Sequence, residues 1–222
     1  MKDSLTPRLL AASSHIRRGA VLADIGTDHA YLPIYLVENK IADRAVAADI
    51  NEGPIERARV NIELAGLSDS IDTVCTDGLC GIEEYSPTDI SICGMGGELI
   101  CKILEKADFV KKEGIRLILQ PMTASSELYI WLLASGVRIV SESYAVEGSR
   151  SYRIMCAEYC GEPDAADICD AFAGTGEMTR EHREYAISKL ATLERRIAGI
   201  SITGKNVSML ENIRDKIKSI IE

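Results

Sequence analysis

The stretch "ADIGTDHAYLP", Ala23 to Pro33, closes the apolar run "AVLADI" at 20–25 and opens a segment whose apolar residues recur at helical spacing. A strand, a glycine turn and a helix in that order begin a βαβ unit. Dinucleotide-binding turns usually carry three glycines. This one has Gly26 alone, with Asp28 and Ala30 where the others would stand. Gly26 permits a tight turn and close approach of backbone to ligand. A pyrophosphate here would meet the added negative charge of Asp28, whereas a cationic ligand would be favoured by it. Asp28 equally suits the role of cap for the helix that follows.

The same alternation runs outward from this stretch. Apolar, β-branched runs at 45–50 ("AVAADI"), 71–75 ("IDTVC"), 89–93 ("DISIC") and 115–120 ("IRLILQ") alternate with "PIERARVNIELAGL", "GELICKILEKADFVKK" and "SSELYIWLLASG", which have helical spacing. Pro54 suits a first helical turn, and Gly66 and Gly136 suit helix stops. Right-handed βαβ units on a parallel sheet are expected. After Gly136 the rhythm changes: "VRIVSESYAV", the turn "EGSR" and "SYRIMCAEY" predict an antiparallel hairpin ending the sheet. Such a hairpin is the commonest mark of S-adenosylmethionine (SAM) methyltransferases. The expected fold is therefore α/β, a Rossmann-like class I SAM-methyltransferase sheet over residues 1–160.

Residues 161–176 are acidic and broken by Pro and Gly, and are expected to be a linker. Beyond them, Ala186, Leu190, Leu193, Ile197 and Ile200 form one apolar stripe and Val207, Leu210, Ile213, Ile217 and Ile220 a second, with "TGKN" between. This predicts a helical coiled-coil hairpin over 177–222. At the other end, Leu5, Leu9, Ala12 and Ile16 give one face of a leading helix.

Composition sets further bounds. Of 222 residues 46% are hydrophobic, with two Phe and one Trp, so the core must be aliphatic. Seven cysteines include no C-x-x-C pair, which speaks against a metal site and against a disulfide framework, and points to a reducing cytoplasm. No segment has the apolar length of a membrane span. The net charge of −9 argues against a broad polyanion-binding face, although residues 177–222 carry a small positive excess, so such a site would have to be a local patch. Nothing in the sequence fixes an oligomeric state, and a monomer is the simplest expectation.

In an open α/β sheet the ligand sits beyond the carboxyl ends of the strands. Asp24 and Gly26 end the first strand; Asp49 and Ile50 end the second, 25 residues after Asp24, near the offset of a ribose-binding acid. Asp77 and Gly78, in "CTDGL", follow the third, where a carboxylate can accept from an adenine amino group, although Asp-Gly is also a common turn. The fourth ends in "CGMGG", whose glycines leave room for a flat base against the backbone with Met95 as an apolar wall. A bare helix start would read the same way. The Asn/Asp-Pro-Pro-aromatic turn of amino-directed adenine methyltransferases is absent there. Gln120, in "LQPM", ends the fifth and offers a polar contact. His29 lies beside Asp28, while His15 and His182 are expected to be solvated.

Taken together, "LTPRLLA", "ADIGTDHAYLP", "NEGP", "TDGL", "CGMGGELI", "RLILQP", "WLLASG" and the closing hairpin resemble the tRNA (adenine(22)-N1)-methyltransferase family, often called TrmK, over residues 1–160. The far helices match in kind rather than in sequence. The family usually has Ser where Thr27 stands, often Asn where Met122 stands, and commonly Tyr-Glu where this chain has Tyr152-Arg153. The resemblance implies that Asp24, Gly26, Asp49, Asp77 and Gly78 hold SAM and that Asp28, Gly94 and Met95 face the base. It implies methyl transfer to N1 of an adenine in tRNA, with Asp28 as the acceptor that steadies the cationic product. Arg8, Arg17 and Arg18 on the leading segment, with His29 and Gln120, are the expected substrate contacts, and Arg183, Lys189, Arg195, Arg196 and Lys205 a second basic group. Three rivals share part of this pattern. A small-molecule SAM methyltransferase needs the same cofactor residues and no basic patch. An NAD-dependent reductase needs the fuller glycine turn, and a non-catalytic adaptor has no use for three strand-end acids.

Overall fold

The computed structural model describes residues 5–201 and 206–222. Its order is α1 (Pro7–Ser13), β1 (Ala20–Ile25), α2 (Tyr31–Glu38), β2 (Ala42–Asp49), α3 (Glu52–Leu64), β3 (Ile71–Cys75), β4 (Asp89–Gly96), α4 (Gly97–Glu105), β5 (Arg116–Thr123), α5 (Ser125–Ala134), β6 (Val137–Glu147), β7 (Arg150–Tyr159), α6 (Ile168–Ala173), α7 (Arg180–Ser201) and α8 (Ser208–Ile221). The seven strands form one sheet in the order β3-β2-β1-β4-β5-β7-β6. The first five are parallel, and β7 runs antiparallel to both β5 and β6. The chain winds outward from β1 through β2 to β3 and then returns to β4 on the other side of β1. That reversal makes the gap between β1 and β4 the place where a ligand sits in such folds.

The strands are apolar on both faces because both are covered. Ala23 and Ile25 face one cluster with Ile90, Ile92, Ile100 and Leu128, while Ala20 and Leu22 face the other with Ala12, Leu32, Leu36 and Ile62. Helices α1, α2 and α3 thus cover one side, and α4 and α5 the other. The expected helix stops are seen: Gly66 and Gly136 both take positive φ just past α3 and α5.

The C-terminal part departs from a hairpin on a plain linker. Residues 168–173 form a helix, α6, capped by Asp167, whose carboxylate accepts from the backbone N of Cys169 and Asp170. Helix α7 then lies against β6 and β7 rather than standing free. Ala186, Leu193, Ile197, Ile213 and Ile217 do pack together, joined by Cys169 and Ala173 of α6. Ile220, expected on that stripe, is 44% exposed, and Ile221 packs in its place, one four-residue step after Ile217. Thr203, Gly204 and Lys205 of the expected turn lie outside the described residues.

Polar groups tie this region to the hairpin. Arg153 and Glu142 form an ion pair from which water is fully excluded. Arg153 also donates to the carbonyl of Ala171 and lies over the ring of Tyr129, while Glu142 accepts from Tyr144 and from the backbone N and Oγ1 of Thr175. The arginine found where the family commonly has glutamate is therefore matched by an acid on the neighbouring strand. His182 is not solvated: it is 1% exposed, its ring nitrogens contact the carbonyls of Glu177 and Ala173, and it stacks on Tyr144 at 3.9 Å. His15 is also held, between Ser143 and Ser141, and burial lowers its pKa below the ordinary histidine value, with Arg116 acting in the same direction. Both were misjudged because helical periodicity gives no sign of a β-hairpin packed on the same face.

Glu142→Ala leaves Arg153 buried and unpaired, so it should cost about 3–5 kcal/mol. Urea denaturation checks this, and the loss should exceed that of replacing Arg153 and Glu142 together by Met and Leu.

Candidate functional site

Gly26 turns the chain out of β1 at φ +77°, with its N–H and that of Thr27 both donating to the Ala48 carbonyl of β2. A Cβ at this position would overlap the Met95 Cε, which reaches over from the end of β4. Glycine is thus favoured here by conformation, while the space is filled only by the movable end of the Met95 side chain. Asp28 and Ala30 then also take positive φ, at 47° and 57°, and Ala30 is the N-cap of α2 without any side-chain cap. Asp28 is therefore no helix cap. Its carboxylate turns to Arg57 Nη2 of α3 at 2.6 Å and to His29 Nε2 at 3.4 Å. Arg57 was missed in the sequence because nothing in its spacing within α3 distinguishes it from a solvated helix residue.

Asp24 lies on the floor of this cleft, 6% exposed, and accepts from Ser91 Oγ at 2.6 Å. Burial raises its carboxyl pKa against the lowering effects of the Ser91 hydrogen bond and of the neighbouring Thr27 hydroxyl. Nearby, the buried Thr27 Oγ1 has no hydrogen-bond partner among the described residues. Asp49 Oδ1 accepts from the backbone N and Nδ2 of Asn51, and Oδ2 has no partner among the described residues. Ile50 beside it is 61% exposed, an apolar side chain left uncovered at a strand end. Asp77 pairs with Lys106 Nζ at 3.3 Å, at the edge of a cavity of about 470 Å³ also lined by Gly78, Leu79, Leu99, Lys102 and Ile103. Lys106 had not been singled out.

The "CGMGG" glycines divide between two tasks. A Cβ at Gly97 would overlap the carbonyl of Ala124, so this glycine lets α4 pack against the loop before α5. Gly94, at φ +86°, instead lies beside the Arg8 guanidinium. Arg8 comes from α1 and donates from Nη1 to Gln120 Oε1 at 3.0 Å, while its backbone N donates to Glu147 Oε1. Gln120 is fully buried and donates onward to the Pro121 carbonyl. Arg8, Gly94 and Gln120 are thus brought together as expected, with Glu147 as the unforeseen fourth member. Between this group and Asp24, burial and the neighbouring carboxylate push the Cys93 thiol up to about 12, so it is no nucleophile.

Arg17 and Arg18 are not brought to the site. They precede β1 and lie at the opposite end of the sheet, although only a few residues separate them from Gly26 in sequence. Arg17 donates from its backbone N and Nε to the buried Asp89 carboxylate and from Nη2 to the carbonyls of Thr88 and Gly114, holding the amino ends of β4 and β5. Among the described residues no group of three or more His, Cys, Asp or Glu side chains is arranged to hold a metal ion.

The cleft therefore has three carboxylates at three adjacent strand ends, an unpaired buried hydroxyl, and a facing guanidinium. Residues 5–155 match the family described as a methyltransferase domain. The chain is 40% identical to the tRNA (adenine(22)-N(1))-methyltransferase of Bacillus subtilis (strain 168), over 98% of this chain and 96% of that protein. The chain belongs to the tRNA (adenine(22)-N(1))-methyltransferase family. Among solved structures, the Streptococcus pneumoniae protein Sp1610 in complex with S-adenosyl-L-methionine is 32% identical with a TM-score of 0.84, covering 99% of this chain and 100% of that one. M. capricolum TrmK, in complex with S-adenosyl-homocysteine, is 26% identical with a TM-score of 0.78, covering 98% and 97%. Likeness to these TrmK proteins runs through the C-terminal helices as well as the sheet, so the whole chain shares the family architecture.

Gly26→Ala should cost about 1–2 kcal/mol for the left-handed backbone alone, and more for displacing Met95. Adding Met95→Ala should relieve the steric part and leave the backbone part, measurable as two separate midpoints in urea.

Proposed function

We infer that the protein transfers the methyl group of SAM to N1 of adenine 22 in tRNA. The observation that carries this is the full-length 40% identity to the B. subtilis enzyme of that specificity, together with a cleft whose residues fit the cofactor. Asp24 is a buried carboxylate with one neutral donor, which suits a cationic amino group better than a phosphate. Thr27 Oγ1 supplies an uncommitted hydrogen bond, Asp49 Oδ2 an uncommitted acceptor for a ribose hydroxyl, and Asp77 an acceptor for the adenine amine. Ile50 and Gly78 flank a flat ring on two sides. When bound, SAM supplies an electrophilic methyl group on a sulfonium centre.

The residues of the chain position the acceptor base. N1 of adenine carries its own lone pair, so orientation contributes more than proton abstraction. That nitrogen is paired in a duplex, and the base must enter unpaired. Gly94 removes side-chain bulk where the base would lie, Met95 walls it, and Arg8, oriented by Gln120 and Glu147, supplies a fixed cation for a phosphate or ring nitrogen. The methylated ring is cationic, and Asp28, free of any capping duty, is the acceptor that stabilises it or takes its amino proton.

Residues 1–160 are the catalytic unit and the C-terminal helices a second tRNA contact, with Arg183, Lys189, Arg195 and Arg196 on α7. No described helix is long and apolar enough to cross a membrane, and a tRNA substrate supports a cytoplasmic location.

Incubation with unmodified tRNA and SAM, followed by mass mapping, should yield 1-methyladenosine at position 22 and nowhere else. Asp28→Asn tolerates the left-handed backbone but lacks the charge, so turnover should fall by about 10²–10⁴ with SAM affinity within a few fold. Asp49→Ala should do the reverse in calorimetry, weakening SAM by about 1.5–3 kcal/mol.

A further inference from the structure

The turn between β1 and α2 does more than admit a cofactor. Two non-glycine residues of left-handed conformation, Asp28 and Ala30, flank His29. Each is strained, and such strain persists where the surroundings fix it, commonly at functional sites. Here they do: the Thr27 carbonyl accepts from the N–H groups of His29 and Ala30, and Asn61 of α3 donates to the His29 carbonyl. The result of this geometry is to stack the His29 ring on that of Tyr31, centroids 5.1 Å apart and planes 12° from parallel. The core does not use this stack. Helix α2 buries Leu32, Pro33 and Leu36, whereas Tyr31 is 48% exposed.

A chain of contacts links the stack to charge. His29 touches Asp28, and Asp28 holds Arg57, both members of that ion pair being half exposed. An exposed pair of this kind is weak in water, so Arg57 can exchange its partner for a phosphate at small cost. A flat aromatic face at the start of α2 and an exchangeable guanidinium of α3, linked through Asp28 and His29, are the two elements that recognise an unpaired nucleotide.

We propose that His29, Tyr31 and Arg57 form a second nucleotide subsite, in which an unpaired base of the substrate RNA next to the target adenine stacks on Tyr31 and its phosphate engages Arg57. This rests on the reading of the substrate as tRNA. It adjoins the pocket of the target base through Asp28, which contacts His29 and Arg57; the rest of that pocket is built by Arg8, Gly94, Met95 and Gln120 from α1, β4 and β5.

The test is steady-state methylation of tRNA by the full chain carrying Tyr31→Ala or Tyr31→Phe, with SAM calorimetry on each to show an intact fold. Tyr31→Ala should raise the KM for tRNA by about 5- to 100-fold, the equivalent of one stacked base, with kcat within two-fold. Tyr31→Phe keeps the ring and should restore the wild-type KM. Arg57→Gln should reduce the slope of log affinity against log salt by about one in direct tRNA binding. An unchanged KM in Tyr31→Ala overturns the subsite, as does a fall in kcat alone, which would assign the ring to the target base. Failure of Tyr31→Phe to restore KM also overturns it, since the hydroxyl and not the ring would then be responsible. If the wild-type chain forms no 1-methyladenosine at position 22, the substrate reading itself fails and the subsite falls with it.

Discussion

The close approach of two loops at the gap between β1 and β4 governs the whole cleft. Met95, carried by the end of β4, occupies the space that a side chain at Gly26 would fill. That contact is possible only because Gly26 lacks a Cβ and takes positive φ. The level of the turn is set by the Gly26 and Thr27 N–H groups on the Ala48 carbonyl of β2, which fixes where Asp28 and His29 begin. A single glycine suffices: the remaining turn residues need not approach a pyrophosphate, so Asp28 and Ala30 can stand in left-handed positions that a dinucleotide turn would give to glycine.

Charge follows from the same geometry. Parallel strands of similar register end at one level, so Asp24, Asp49 and Asp77 line one rim. Each acid has a different partner: a buried serine for Asp24, an asparagine for Asp49, an exposed lysine for Asp77. The partners grade the carboxylates from dry to wet. Asp24, desolvated and held by one neutral donor, has the strongest demand for a cation, and Asp77 the weakest, because Lys106 already answers it in high-dielectric surroundings. Across the gap Arg8 is the opposing charge, and its orientation through a buried amide and Glu147 makes the acceptor side of the cleft electrostatically unlike the cofactor side.

The sheet was legible because its signals are local and repeated: β3 spans the residues expected of it, and the hairpin turn falls at "EGSR". The strand-end acids were legible for the same reason, since a strand that ends in Asp must present it at the rim. What could not be read depends on contacts across elements. Arg57, Ser91, Lys106 and Glu147 carry no spacing signal, as each meets its partner only after two or more units have docked. Arg17 and Arg18 misled in the opposite way. Six residues of strand span roughly 20 Å, so adjacency to "ADIGTD" in sequence places them at the far end of the sheet.

The C-terminal helices show how a region of weak sequence signal is fixed by a few expensive groups. A buried ion pair is weak evidence for net stability, because desolvation offsets the attraction. Its partners are nonetheless costly to leave unmet, and here they are met from three separate segments: Tyr129 of α5 stacks on Arg153, the Ala171 carbonyl of α6 accepts from it, and Thr175 donates to Glu142. Moving α6 or the 174–176 turn by a hydrogen-bond length would strand a charge in the interior. The apolar packing of α7 on α8 tolerates sliding far better, since dispersion is non-directional. The network therefore specifies where α7 starts, and Tyr185, reaching Ser125 at 3.1 Å, repeats the constraint one turn later. Register set at the hairpin is carried along α7 by helix rigidity, so the basic residues toward its far end are placed relative to the cleft by an ion pair that touches neither.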